Sequence, residues 1–179
     1  MNTIIIYGNK KDDQLKNILL KLLADKFKIN YISDTTVSSS SGNKVLNIIE
    51  TSFLNEIKVK NAILILKNNA KINAIKFIDK STNIIINENN TKNLLCLAKS
   101  INNVFTCGFS SKDYITFSSH EDDNAIVSLQ RSIKLLNGHI CEPMEIPCKA
   151  VANINDYSIL AATLTLILLG VIDENKVNF

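Results

Sequence analysis

The chain lacks the marks of several protein classes. Met1 to Gly8 has no basic region followed by a long apolar run, so no signal peptide is expected. No apolar stretch reaches the ~20 residues that a membrane span needs. The longest, Tyr157 to Ile172, is broken by Thr163 and Thr165 and reads as a buried core helix, so no membrane partner is expected. Aromatics make up only 6%, and no Lys/Arg stripe is interleaved with them. With a net charge of +3 and scattered lysines, nucleic acid is not implied. None of the four cysteines, Cys96, Cys107, Cys141 and Cys148, forms a C-x-x-C motif. Reduced thiols in a cytoplasmic chain, packed as small core residues, are the expectation. No internal repeat and no linker divides the chain, and a single domain over residues 1–179 is expected.

What is present suits a globular core: 179 residues, 46% hydrophobic and 21% charged. Asn, Ile and Lys are abundant. This is a compositional bias and not disorder, because the apolar periodicity survives it.

Thr3-Ile4-Ile5-Ile6-Tyr7 is a buried strand ending at Gly8. Leu15, Ile18, Leu19, Leu22 and Leu23 set one apolar face on a helix from about Asp12 to Lys26. Asp12 and Asp13 favour its start. Lys28 to Ser33 reads as a strand and Asp34 to Asn43 as a flexible loop. Leu46, Ile49, Phe53 and Ile57 fit a second helix face. Strands follow at Ala62–Leu66 and Asn83–Asn87, then a helix carrying Leu94, Leu97, Ala98 and Ile101, capped by Asn90 or Thr91, then a strand over Asn103–Cys107 ending at Gly108. Strands alternating with helices predict an α/β fold, a mostly parallel sheet flanked by helices. After residue 108 the rhythm changes. Tyr114–Ser118, Ala125–Ile133 and Ile140–Cys148 read as a small antiparallel β extension, with Asn137-Gly138 as a hairpin signal. A last helix, about Asp156 to Leu169, is apolar nearly all round and is capped by Gly170.

In order along the chain, several segments resemble the ATP-binding central domain of Mur ligases and the related folylpolyglutamate synthetases. Ile84-Ile85-Ile86 followed by Asn87-Glu88-Asn89-Asn90 resembles that family's strand ending in Asn-x-Asp-Asp. Val104 to Phe109 resembles its Thr-x-Gly turn, and Lys112 to Thr116 its entry into antiparallel strands. Ile146-Pro147 to Asn155, with Ile159-Leu160-Ala161-Ala162 and Leu168-Leu169-Gly170, resembles its Asn-containing turn and Ala-Ala helix ending in Leu-Gly. The match is best over residues 78–171. It implies a P-loop-like α/β domain. The departures concern chemistry. A phosphate loop of the G-x-x-x-x-G-K-[ST] type wraps phosphates with backbone N–H groups, a lysine and a hydroxyl. Here Gly8-Asn9-Lys10-Lys11-Asp12-Asp13-Gln14 lacks the second glycine and the hydroxyl, and puts two carboxylates where phosphates would lie. Leu66 leads to Lys67-Asn68-Asn69 without the family's Mg²⁺-binding Glu, and residues 70–80 hold no His. The family's separate N-terminal substrate domain and C-terminal domain are expected to be absent as well. A degenerate stand-alone domain without ligase activity is the expectation.

Other candidates are weighed against plainer roles. Gly8, Asn9, Lys10 and Lys11, at a helix start, could hold a nucleotide or small anion without hydrolysing it; the alternative is a solvated charged turn. His139, Cys141 and Cys148 could ligate Zn²⁺ if a hairpin gathered them, but turn and core roles account for them better. Cys107 could be a nucleophile with His120 as base, yet a buried strand-end thiol fits better. His120-Glu121-Asp122-Asp123 is read as a polar turn in preference to a cation site. No catalytic residue, metal or cofactor is therefore assigned. The expected partner is another protein or a second copy, with an antiparallel edge after Gly108 available for pairing.

Overall fold

The computed structural model describes residues 2–9, 12–68, 70–173 and 175–179. In chain order it contains β1 (Asn2–Tyr7), α1 (Gln14–Leu23), β2 (Lys28–Ser33), β3 (Val37–Ser39), β4 (Val45–Thr51), β5 (Glu56–Ile57), β6 (Ile63–Leu66), a 3₁₀ turn (Ile72–Ala74), β7 (Phe77–Ile78), β8 (Asn83–Asn87), α2 (Thr91–Leu97), β9 (Asn103–Cys107), β10 (Ile115–Glu121), β11 (Asn124–Leu129), β12 (Ile133–Lys134), β13 (Ile140–Cys141), β14 (Met144–Lys149), α3 (Asp156–Leu168) and β15 (Val177–Asn178).

Among the described residues the main sheet has 11 strands in the order β15-β14-β11-β10-β9-β8-β6-β1-β4-β2-β3. The run from β2 to β9 is parallel, and β10, β11 and β14 form the antiparallel extension. The Ile-rich runs of β1, β6 and β8 are buried on both faces, as central parallel strands must be. Their alternation divides the core. Ile4 and Ile6 pack with α1 and α3 on one face, while Ile5, Leu64 and Ile86 pack with Ile72 and Leu97 on the other. Helix α1 buries Leu15, Ile18, Leu19 and Leu23, but is shorter than its apolar stripe predicts. Every residue of α3 from Tyr157 to Leu168 is buried. It ends in a Schellman motif: the N–H of Val171 donates to Leu166 O, that of Gly170 to Ile167 O, and Gly170 takes φ +67°.

One helical expectation fails and another helix is shorter than expected. The apolar residues of 46–57 do not make a helix; residues 45–51 form β4, parallel to β1 and β2. Their alternation decides it. Leu46, Ile48 and Glu50 are buried, while Val45, Asn47 and Ile49 stay partly exposed on the opposite face. Phe53, expected on the helix face, is 85% exposed. The loop expected at 34–43 carries β3, which pairs antiparallel with β2. Helix α2, capped by Asn90 through the N–H of Asn93, ends at Leu97, so Ile101 lies outside it and exposed. The Asn137-Gly138 turn does connect a hairpin, β12 with β13, and Gly138 has φ +91°.

Candidate functional site: the loop after the first strand

In a parallel α/β sheet, ligands collect at the carboxyl ends of the strands. Here those ends meet a buried ion pair. Lys67, one residue past β6, is 2% exposed, and Glu50, near the end of β4, is 4% exposed. Lys67 Nζ lies 2.6 Å from Glu50 Oε1, and donates to Asn9 O at 3.1 Å and Asp12 O at 2.5 Å. Three acceptors thus use the three protons of the ammonium. The other carboxylate oxygen of Glu50 accepts from Tyr31 Oη at 2.6 Å. Burial, followed by this bond to Glu50, pushes the Tyr31 hydroxyl up to about 12.

Among the described residues of this loop the polarity is the reverse of a phosphate cradle. A cradle points N–H donors at an anion. Here two carbonyls of the loop, from Asn9 and Asp12, point at a cation supplied by the protein. Gly8 makes room for it. Its φ is +142°, and a Cβ there would lie 2.7 Å from Lys67 Cβ. Its N–H donates to Thr51 O, and the Lys67 N–H donates to Tyr7 O, which ties the loop to β1 and β4.

Counted from Gly8, the second glycine of a phosphate loop would be residue 13, its lysine 14 and its hydroxyl 15. Asp13 pairs with Lys16 at 3.1 Å. Gln14 donates to Asn153 O at 2.7 Å and accepts from the Asn155 N–H at 2.8 Å, stitching the start of α1 to the turn before α3. Leu15 is buried in the core. Each of these positions carries a structural role. Of the expected ligand-binding residues, Gly8 and Asn9 are in this loop, while Lys10 and Lys11 lie outside the described residues.

The ends of β6 and β8 meet the start of α3. Tyr157 Oη donates to Leu66 O at 2.7 Å and Ile85 O at 3.3 Å, bridging β6 and β8. Cys107 is buried beside it, and burial, then the Asp113 charge, raises its thiol pKa well above the ordinary value. A nucleophile needs the opposite shift. His120, offered as its base, instead stacks on Phe117 and faces Asp156 at 3.3 Å. Asp122-Asp123 form the tight turn between β10 and β11, with φ +42° at Asp122. Next to Cys107, Glu88 accepts the Phe109 N–H at 2.9 Å, which lowers its pKa. Burial and the neighbouring Asp113 carboxyl outweigh that bond and leave the pKa raised. Cys148 points into the core from β14 and is not joined to His139 and Cys141; Cys141 meets Met144 instead. Among the described residues no group of three His, Cys, Asp or Glu side chains could hold a metal ion.

Two further surfaces adjoin the loop. A cavity of about 660 Å³ is lined by Tyr7, Gly8, Asn9, Ser52, Phe53 and Lys71, among others. On the face of β2, β3 and β4 away from α1, a register row runs Val37, Ile32, Ile49. Val37 is 80% and Ile32 40% exposed. The buried Lys67–Glu50 pair gave no local sequence signal, because its partners lie 17 residues apart on two strands that flank β1.

Among the described residues no helix is long and apolar enough to cross a membrane. No family model matches the sequence, and no curated protein does. Solved structures do. A murein peptide ligase from Psychrobacter arcticus is similar over 97% of this chain and 45% of its own, with TM-score 0.63 and 13% identity. A MurF ligase from Thermotoga maritima, solved in complex with ADP, gives 0.56 and 11% over 97% of this chain and 47% of its own. A UDP-N-acetylmuramoyl-L-alanyl-D-glutamate–2,6-diaminopimelate ligase gives 0.59 and 8% over 98% and 44%. The likeness extends over the first half of the chain, where motifs were absent. The chain therefore has a Mur-ligase-like α/β fold and spans just under half the length of the ligases that it matches.

Proposed function

We propose that this chain is a non-catalytic Mur-ligase-like domain with a protein-binding or accessory role in the cytoplasm. One observation carries the non-catalytic part. The Lys67 ammonium fills the loop after β1 from inside and turns the carbonyls of Asn9 and Asp12 toward itself. A phosphate entering there meets the carbonyl oxygens of Asn9 and Asp12 and no serine or threonine hydroxyl at position 15. Support for the protein-binding part comes from the exposed Val37 and Ile32, in register with the partly exposed Ile49. Isolated exposed apolar residues are ordinary, but a contiguous row on an open sheet face suits burial against another chain.

Thermal unfolding with Mg·ATP, Mg·ADP, a UDP-sugar and inorganic phosphate tests the first part. No shift is expected at millimolar ligand. A ligand at 100 times its Kd would add about 2.7 kcal/mol, so a saturable rise in Tm would overturn the reading of a loop that takes no phosphate. Such a rise would favour the second reading, a nucleotide or small-anion binder without hydrolysis. The cavity with Gly8, Asn9 and Lys71 in its wall supports that alternative.

A further inference from the structure

We propose that His139, Cys141 and Met144 form a binding site for one soft monovalent metal ion, copper(I). The three residues line one cavity of about 440 Å³ beside the β12–β13 hairpin, whose floor includes Leu135, Ile167 and Ile172. The Cys141 thiol donates toward Met144 Sδ at 3.6 Å and toward Glu142 O at 3.6 Å. His139 directly precedes β13, stands two residues before Cys141 and lines the same cavity. Asn137 Oδ1 accepts the His139 N–H at 3.0 Å, and Leu135 N–H donates to His139 O, which fixes the turn that presents it.

The donor set selects the ion. Thiolate and thioether sulfurs are soft and favour copper(I), and imidazole completes the set. A divalent ion such as Zn²⁺ takes four ligands in a closed site. Glu142, which also lines the cavity, is engaged by Ser132 Oγ at 2.5 Å. Charge agrees as well. Copper(I) displaces the Cys141 proton to solvent and forms a neutral unit with the thiolate, which an apolar floor tolerates. Geometry sets the number of ligands. With metal–sulfur bonds of ~2.3 Å, sulfurs 3.6 Å apart subtend about 100° at the metal. That angle leaves room for a third donor, the place given to His139. A linear two-sulfur site would need the sulfurs about 4.6 Å apart, twice the bond length.

The test uses the full chain with Cys96→Ser, which removes the exposed thiol as a competing ligand. Anaerobic equilibrium dialysis against copper(I) held in acetonitrile-containing buffer should give one ion per chain and release one proton on binding. X-ray absorption at the copper edge should show two sulfurs and one nitrogen. Cys141→Ser should abolish binding, and Met144→Leu and His139→Ala should each weaken it roughly tenfold or more, since losing even outer-shell partners costs that much. Met144→Leu keeps volume, so its fold should survive, with circular dichroism as the check. Absence of one-to-one binding, unchanged affinity in Met144→Leu, or Zn²⁺ bound as tightly as copper(I) would each overturn the proposal.

Discussion

Lys67→Met isolates the interaction on which the loop depends. The substitution keeps an unbranched side chain in the space but removes the ammonium. Glu50, 4% exposed, is left with Tyr31 as its only hydrogen-bond donor among those described, and the carbonyls of Asn9 and Asp12 lose theirs. Breaking one side of a buried pair typically costs about 3–5 kcal/mol, because a charge remains in a poorly solvating site. For a chain of this size roughly 3 kcal/mol corresponds to a fall in Tm of about 6–12 °C. Total stability of a domain is about 5–15 kcal/mol, so the effect is large. Lys67→Met/Glu50→Gln removes both charges while keeping an acceptor for Tyr31, and should recover more than half of the loss. Urea denaturation of the wild type, both single variants and the double variant closes the cycle, with an expected coupling of about 2 kcal/mol or more. A loss below ~1 kcal/mol for Lys67→Met, or strict additivity, would refute the reasoning.

Three other outcomes follow from the same structure. Iodoacetamide at neutral pH should modify the exposed Cys96 in the native state, and Cys107 and Cys148 only after unfolding, as peptide mapping would show; burial pushes the Cys107 thiol far up and the Cys148 thiol to about 11. Glu88 has a raised pKa in the folded chain, so its protonated form contributes stability that is full below the ordinary carboxyl value of 4.5 and is lost as pH rises through the folded value. Glu88→Gln should flatten that part of the stability–pH curve, and an unchanged slope would contradict the shift. Val37→Lys and Ile32→Lys should each change stability by no more than about 0.5 kcal/mol, as exposed substitutions do, while weakening any self-association seen by sedimentation velocity or capture of a cellular partner.

Much of the fold was legible in the sequence. The apolar runs of β1, β6, β8 and β9 are both long enough and bounded by turn residues, and α3 announces itself by length and by Gly170. The stretch Val45 to Thr51 was not legible, for a specific reason. Its strand alternation puts Leu46 and Ile48 inward, and the next inward place is held by Glu50, a charge that breaks the pattern. Leu46, Ile49, Phe53 and Ile57 then offer a helical spacing by chance. The charge is tolerated because Lys67 meets it, and that partner lies on another strand end. The same long-range pair hid the site. The sequence shows no second glycine and no hydroxyl at phosphate-loop spacing after β1, but not that Lys67, beyond β6, reaches the carbonyls of Asn9 and Asp12. The sequence has no carboxylate directly after Leu66, and the fold brings one there from β4.

The proposed non-catalytic role rests on Lys67 holding the carbonyls of Asn9 and Asp12 in the loop after β1. The most direct measurement is a crystal structure of the chain soaked with millimolar Mg·ATP. The account predicts Lys67 Nζ still on Glu50, Asn9 O and Asp12 O, and no nucleotide on the loop. A triphosphate seated on the backbone of Gly8 and Asn9, with Lys67 withdrawn from Glu50, would contradict it.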